Sequence, residues 1–159
     1  RRTPLDRADR HGFHDHRLAD HVQRGFHALA LDERRNIYRP VLWDTSSSQA
    51  AIVEQVWFRG THGDVGGQLG GFHPARPLSN IPLVWMLDRI AAAGVPLPDG
   101  WRARFPCDVT APSLGQWRGW SKLFLWRQGR TILFDPSESL HETVDQADQE
   151  QRITPALHT

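Results

Sequence analysis

Apolar residues gather in a few short stretches of this chain, and the spacing inside each stretch predicts an element. Leu18, Val22, Phe26, Leu29 and Ala30 recur three and four residues apart, which predicts a helix over Leu18 to Glu33, with Asp15 as its N-cap and Arg34-Arg35 at its C-terminal end. Pro40 to Trp43 is a short extended piece, and Asp44 to Gln49 is a polar, Ser/Thr-rich loop. Ile52 to Phe58 mixes β-branched and aromatic residues and predicts a buried strand. A loop with Gly60, Gly63, Gly66 and Gly67 follows, where glycine permits turns closed to larger residues. A second helix is capped by Ser79 or Asn80, tolerates Pro82 in its first turn, buries Leu83, Val84, Leu87, Ile90 and Ala91, and stops at Gly94 and Pro96. Pro96 to Pro112 is proline-punctuated and irregular. Lys122 to Trp126 and Thr131 to Phe134, separated by four polar residues, form a hairpin or two short strands, and a Ser-Glu-Ser loop then leads to His141.

The segments outside these stretches carry less pattern. Residues 1–15 are a polar, irregular lead-in, residues 145–159 are a polar tail that is helical or frayed, and no internal repeat is present. One α/β unit accounts for the whole of 1–159. Its length suits a compact domain but is short for a complete enzyme of the hydrolase type, so the chain is expected to be the C-terminal part of a longer catalytic domain.

Charge narrows the partners. The 19 Lys and Arg against 18 Asp and Glu leave a net +1, so no broad attraction to nucleic acid is expected. No run of about 18 apolar residues is present to cross a membrane. Cys107 is the single cysteine, which excludes an internal disulfide and is read as a small core residue. Trp101, Trp117, Trp120 and Trp126 either pack under loops or line a surface for an amphipathic partner.

Two residues stand where catalytic side chains gather in open α/β sheets, beyond the carboxyl ends of strands: Asp64 after the strand ending at Phe58, and His141 after the strand ending at Phe134. A carboxylate there can fix the tautomer of an imidazole, whose other nitrogen takes a proton from a nucleophile. No serine lies in a G-x-S-x-G elbow: Ser46, Ser47, Ser48, Ser113, Ser121, Ser137 and Ser139 all lack the flanking glycines.

Several blocks resemble the bacterial and fungal α/β-hydrolases that include phospholipase effectors of type VI secretion. His27 to Arg35 followed by Pro40 to Trp43 is similar to an H-A-L-A-L-D-E-R block, Val56 to Gly67 to a W-F-x-G-x-H-S-D-V-G-G-G block, Leu83 to Leu87 to a W-M helix, and Leu140 to Val144 to a terminal H-E-S-V block. The resemblance implies an α/β-hydrolase-like, mostly parallel sheet flanked by helices. It further implies Asp64 as triad acid and His141 as triad base, with Gly60, His62, Gly66 and Gly67 as the supporting loop and the serine upstream of Arg1. His27 and Asp32-Glu33 are then structural. Gly63 stands where the family has Ser, Gln68 where it has a third Gly, and Thr143 keeps the hydroxyl of a Ser.

The expected function is therefore hydrolysis of esters, with lipid or phospholipid acyl esters as the substrate class, no cofactor, and a secretion or immunity partner. This chain alone is expected to be inactive. Two other classes stay open: a metal-dependent hydrolase using His62, Asp64 and His73, because imidazole and carboxylate suit zinc, and a non-catalytic interaction module. His11, His14, His16 and His21 are read as solvated.

Overall fold

The sheet is built around the apolar run Ile52–Phe58. A computed structural model describes residues 16, 18, 19, 21–45, 52–115 and 126–144 of the chain. Strand β1 (Arg24–Ala30) pairs in parallel with β2 (Ile52–Phe58), Arg24 opposite Ile52 and Ala30 opposite Phe58. The short β3 (Glu138–Leu140) pairs in parallel with the other edge of β2, Gln55 opposite Glu138 and Trp57 opposite Leu140. The order is β1-β2-β3, so all three carboxyl ends face the same way.

Successive side chains of a strand point to opposite faces, and both faces of this sheet are covered. On one face Val56 and Phe58 pack with Leu78, Ile81 and Trp85 of the long helix and with Ala111. On the other, Trp57 packs with Leu29, Leu31 and Val144. Trp57 also donates from Nε1 to Glu138 Oε2 at 2.7 Å, so the indole ties β2 to β3 as well as filling the core.

The predicted helix over Leu18 to Glu33 is instead β1. Phe26 and Ala28 belong to the helix-side cluster and Leu29 and Leu31 to the opposite one, so the segment is apolar toward both faces. A strand buried on both faces loses its alternation, and its apolar residues then match a helical spacing by coincidence. The glycine loop is also different. Its centre is a one-turn helix, α1 (His62–Gly66), preceded by Thr61 in extended conformation and ended by Gly67 at φ 77°.

Helix α2 (Arg76–Ala92) begins earlier than Ser79 or Asn80, with Pro77 in its first turn, where a missing N–H costs nothing. Its buried face is Leu78, Ser79, Asn80, Ile81, Pro82 and Trp85, while Leu83 is exposed. Residue type does not mark this face: Asn80, polar by type, is buried in it and donates from Nδ2 to Pro106 O at 2.8 Å. The helix does stop before Gly94, which adopts φ 93°.

Thr131 to Phe134 forms no strand, and Leu133 there takes a left-handed φ of 59°. Residues 122–125 lie outside the described residues. Strand β3 arises from the Ser-Glu-Ser segment expected to be a loop, because its glutamate is buried. Glu138 accepts from the backbone N–H groups of Leu133, Phe134 and Asp135 at 2.9–3.1 Å and from Trp57. Among the described tryptophans, Trp126 is 78% exposed and Trp101 half-buried, while Trp117 and Trp120 lie outside the described residues. Cys107 is exposed, not a core residue.

Candidate active site

Beyond the end of β2 the backbone turns at Gly60, and this turn fixes the place of Asp64. Gly60 has φ 113°, and a Cβ there would lie 2.7 Å from Cβ of Asp64, so both torsion and space demand glycine. The end of β1 holds the turn: Gly60 N donates to Asp32 Oδ2 at 2.7 Å, and Asp32 N donates to Gly60 O at 3.0 Å. Glu33, also buried, accepts from His62 N at 3.1 Å and from Arg35 Nε at 2.8 Å. Burial raises the Glu33 carboxyl, but the Arg35 and His62 donors outweigh it and hold it below its ordinary value. Asp32 and Glu33 are thus structural ties, from a strand end and not a helix end.

Asp64 is 1% exposed, and its carboxylate accepts four hydrogen bonds. Oδ2 accepts from Thr61 N at 2.8 Å, Thr61 Oγ1 at 2.9 Å and Ser113 Oγ at 2.6 Å; Oδ1 accepts from Leu114 N at 2.7 Å. The Thr61 pair is the acidic half of a helix cap, with the third helical residue reaching back to the residue before the helix. The Ser113 and Leu114 donors come from a loop nearly fifty residues on, which no local pattern announces.

That loop also accounts for Gly63, where the resembling family has Ser. A Cβ on Gly63 would lie 2.6 Å from Leu114 Cδ2 and 2.9 Å from the Gln68 carbonyl oxygen. Glycine here lets the loop close onto Asp64. Gly67 ends α1 in the left-handed region, but Gly66 is exposed with open space around its Cβ position, so the expected need for glycine there does not hold. Gln68 contributes through its backbone.

His141 follows β3 directly. Its backbone N donates to Trp57 O at 2.9 Å, which continues the ladder by one bond, and its ring stacks on Phe58 with centroids 4.5 Å apart. Nδ1 lies 2.9 Å from Thr143 Oγ1 and accepts from Thr143 N at 3.3 Å. Burial pushes the imidazole below its ordinary value of 6.5, with Glu142 pulling it up and Arg89 down by smaller amounts. Among the described residues no hydrogen bond joins His141 to Asp64: parallel pairing brings both to the same end of the sheet, and each has another set of partners there.

The remaining candidates stand apart. The His62 ring is exposed and stacks on Tyr38 at 4.4 Å, so it braces α1 through stacking and its backbone N–H, while His73 is exposed in a short 3-10 turn, His73–Ala75. Among the described residues no group of three or more His, Cys, Asp or Glu is gathered as metal ligands would be, His62, Asp64 and His73 included. A cavity of about 810 Å³ opens beside His141, between α2 and the face of β2 and β3, with Val56, Ile81, Trp85, Phe105 and Val109 among its walls.

Residues 2–89, more than half of the chain, match the family described as T6SS, Phospholipase effector Tle1-like, catalytic domain. The matched span contains β1, β2, Asp64 and most of α2, and ends before His141. No curated protein and no solved structure matches the chain.

Proposed function

From the premise that this chain belongs to the Tle1-like phospholipase effector family of type VI secretion, as part of its catalytic domain, we propose that it supplies Asp64 and His141 to a Ser-Asp-His triad that cleaves a phospholipid acyl ester. Family membership makes phospholipid ester hydrolysis the general activity. The triad is our reading, within an α/β-hydrolase-like sheet. The observation that carries it is Asp64, a carboxylate buried in a cradle of four donors just beyond a parallel strand whose neighbour ends directly in His141.

Buried carboxylates are costly unless hydrogen-bonded, and this cradle offsets that cost while fixing the position of the group. In the working state Nδ1 of His141 exchanges Thr143 for an Asp64 oxygen. Nε2 then takes the proton of a serine hydroxyl, supplied by a G-x-S-x-G segment outside these 159 residues, as its Oγ attacks the ester carbonyl. The tetrahedral intermediate collapses as His141 returns the proton to the departing alcohol oxygen. Water, deprotonated by the same nitrogen, then releases the fatty acid and restores the serine.

The test uses the complete protein with a phospholipid substrate. Asp64→Asn and His141→Ala are each expected to lower kcat by about 10⁴-fold, as disruption of a triad does. A serine-reactive fluorophosphonate should abolish activity, and a chelator should not. Wild-type rates in both variants would overturn the triad; inhibition by the chelator alone would favour the metal reading of His62, Asp64 and His73. Complete inertness of the intact protein would leave the interaction module.

A further inference from the structure

We propose that the turn beyond β1 and the segment bonded to it form a docking surface for an anionic phospholipid bilayer, and that docking presents the carboxyl end of the sheet, with Asp64, to the membrane. The inference goes beyond the triad and does not depend on it. Its starting point is a local imbalance in a nearly neutral chain: residues 34–39 and 126–134 carry five arginines, Arg34, Arg35, Arg39, Arg127 and Arg130, and no Asp or Glu. The fold brings these two stretches together. Arg35 and Arg127 form an antiparallel bridge, Gln128 N donates to Arg34 O at 2.8 Å, Asn36 N to Trp126 O at 3.1 Å, and Arg130 Nη2 to Arg35 O at 2.7 Å. Tyr38 links this patch to the candidate site, since its ring lies 4.4 Å from Arg35 Cζ and stacks at 4.4 Å on His62, two residues before Asp64.

Most of this charge is not neutralised within the fold. Arg35 is buried and spent on Glu33, but Arg34, Arg39 and Arg130 have no carboxylate partner among the described residues, and Arg34 and Arg39 are exposed. Burial holds the Arg130 guanidinium below its ordinary value, while Glu33 pulls it up and Arg39 pushes it down by smaller amounts, so the two arginines repel in one neighbourhood. A surface of phosphates relieves that repulsion, and guanidinium groups pair with phosphate through two parallel donors. The apolar residues decide which polyanion fits. Trp126, 78% exposed, and Ile37, 64% exposed, flank the hydrogen bond between Asn36 and Trp126 and so stand among the arginines. An indole and an aliphatic side chain beside cations match the boundary between headgroups and acyl chains of a bilayer. A nucleic acid has no apolar layer to receive Ile37.

The test is co-sedimentation of the complete protein with vesicles of ether-linked lipids, which hold no ester to cleave, so the result stands whether or not Asp64 and His141 act as a triad. Wild type should bind equimolar phosphatidylglycerol and phosphatidylcholine vesicles more tightly than pure phosphatidylcholine ones, and added salt should narrow the difference. Arg34→Gln/Arg39→Gln should bind the anionic vesicles about 30-fold more weakly, from two basic residues at roughly 1 kcal/mol each. Arg24→Gln/Arg104→Gln, which removes the same charge from exposed positions outside the patch, should bind as wild type does. Trp126→Ala should bind both kinds of vesicle more weakly. Equal binding of the two kinds by wild type, or equal losses in the two arginine double variants, would overturn the docking surface. So would an Arg34→Gln/Arg39→Gln protein that keeps its affinity for anionic vesicles and loses affinity for an oligonucleotide, which would assign these arginines to nucleic acid.

Discussion

At Gly63 a single missing side chain lets a distant loop reach the candidate acid. Gly63→Ser would set a Cβ 2.6 Å from Leu114 Cδ2, so the loop must withdraw and weaken the Leu114 and Ser113 donors to Asp64. Overpacking of this kind costs about 1–3 kcal/mol, and urea denaturation of Gly63→Ser, Leu114→Ala and the double variant should show Leu114→Ala relieving part of the loss. Additive effects would mean that the two residues do not meet. Ser113→Ala should cost about 2 kcal/mol, because it removes a donor from a buried carboxylate. His141 carries the pH dependence. Burial lowers its folded-state value below 6.5, so the neutral ring persists to lower pH than an exposed histidine would allow, and an NMR titration of the His141 ring in this chain should give a midpoint below 6.5. The same sign applies to stability: the unfolded chain protonates first, and the contribution of His141 is full above 6.5 and declines as pH drops through the lower folded value. The place of Asp64 just beyond β2 was legible in the sequence. The hydrogen-bond partners of Asp64 and His141 were not, since Ser113 and Leu114 are remote in sequence and Thr143 was expected only to keep a hydroxyl.

At the scale of elements, β2 was legible to the residue because a run of β-branched and aromatic side chains has one good solution, a strand buried on both faces. The same burial hid β1, whose apolar residues on two faces mimic a helical period. Strand β3 was hidden by polarity: Ser-Glu-Ser has the composition of a loop, and only burial of Glu138 under three backbone N–H groups and the Trp57 indole makes it a strand. Glu138→Ala should therefore destabilise by about 3 kcal/mol or more, since it leaves several buried donors without an acceptor. Glu138→Gln, which keeps one acceptor oxygen, should cost less. Thermal denaturation of the two variants checks the order, and equal melting temperatures with wild type would show that β3 is held by something else.

In the whole molecule, the long connections are tied down by carboxylates at loop junctions. Asp135 accepts from Thr45 N and Oγ1 and from Ser137 N and Oγ, joining the segment before β2 to the approach to β3. Burial opposes its ionisation, but these donors hold it down to about 2. A carboxylate with a depressed folded value stabilises fully above its unfolded value and loses that contribution as pH falls through the folded one. Stability should thus decline between about pH 4 and 2, and Asp135→Asn should flatten that part of a plot of urea midpoint against pH. An unaltered slope would assign the acid sensitivity to other groups, Glu33 first among them. By itself the sequence determined the α/β class, the central strand, the end of α2, and the position of a carboxylate just beyond the central strand. These follow from local chemistry: β-branched runs, a glycine stop, a carboxylate after an apolar segment. Only the tertiary structure decided that β1 and β3 are strands, that Asp64 is cradled by Ser113 and Leu114, that His141 faces Thr143, and that a cavity opens beside it. Each of those depends on which distant segments share a buried face, and burial is a property of the assembled chain.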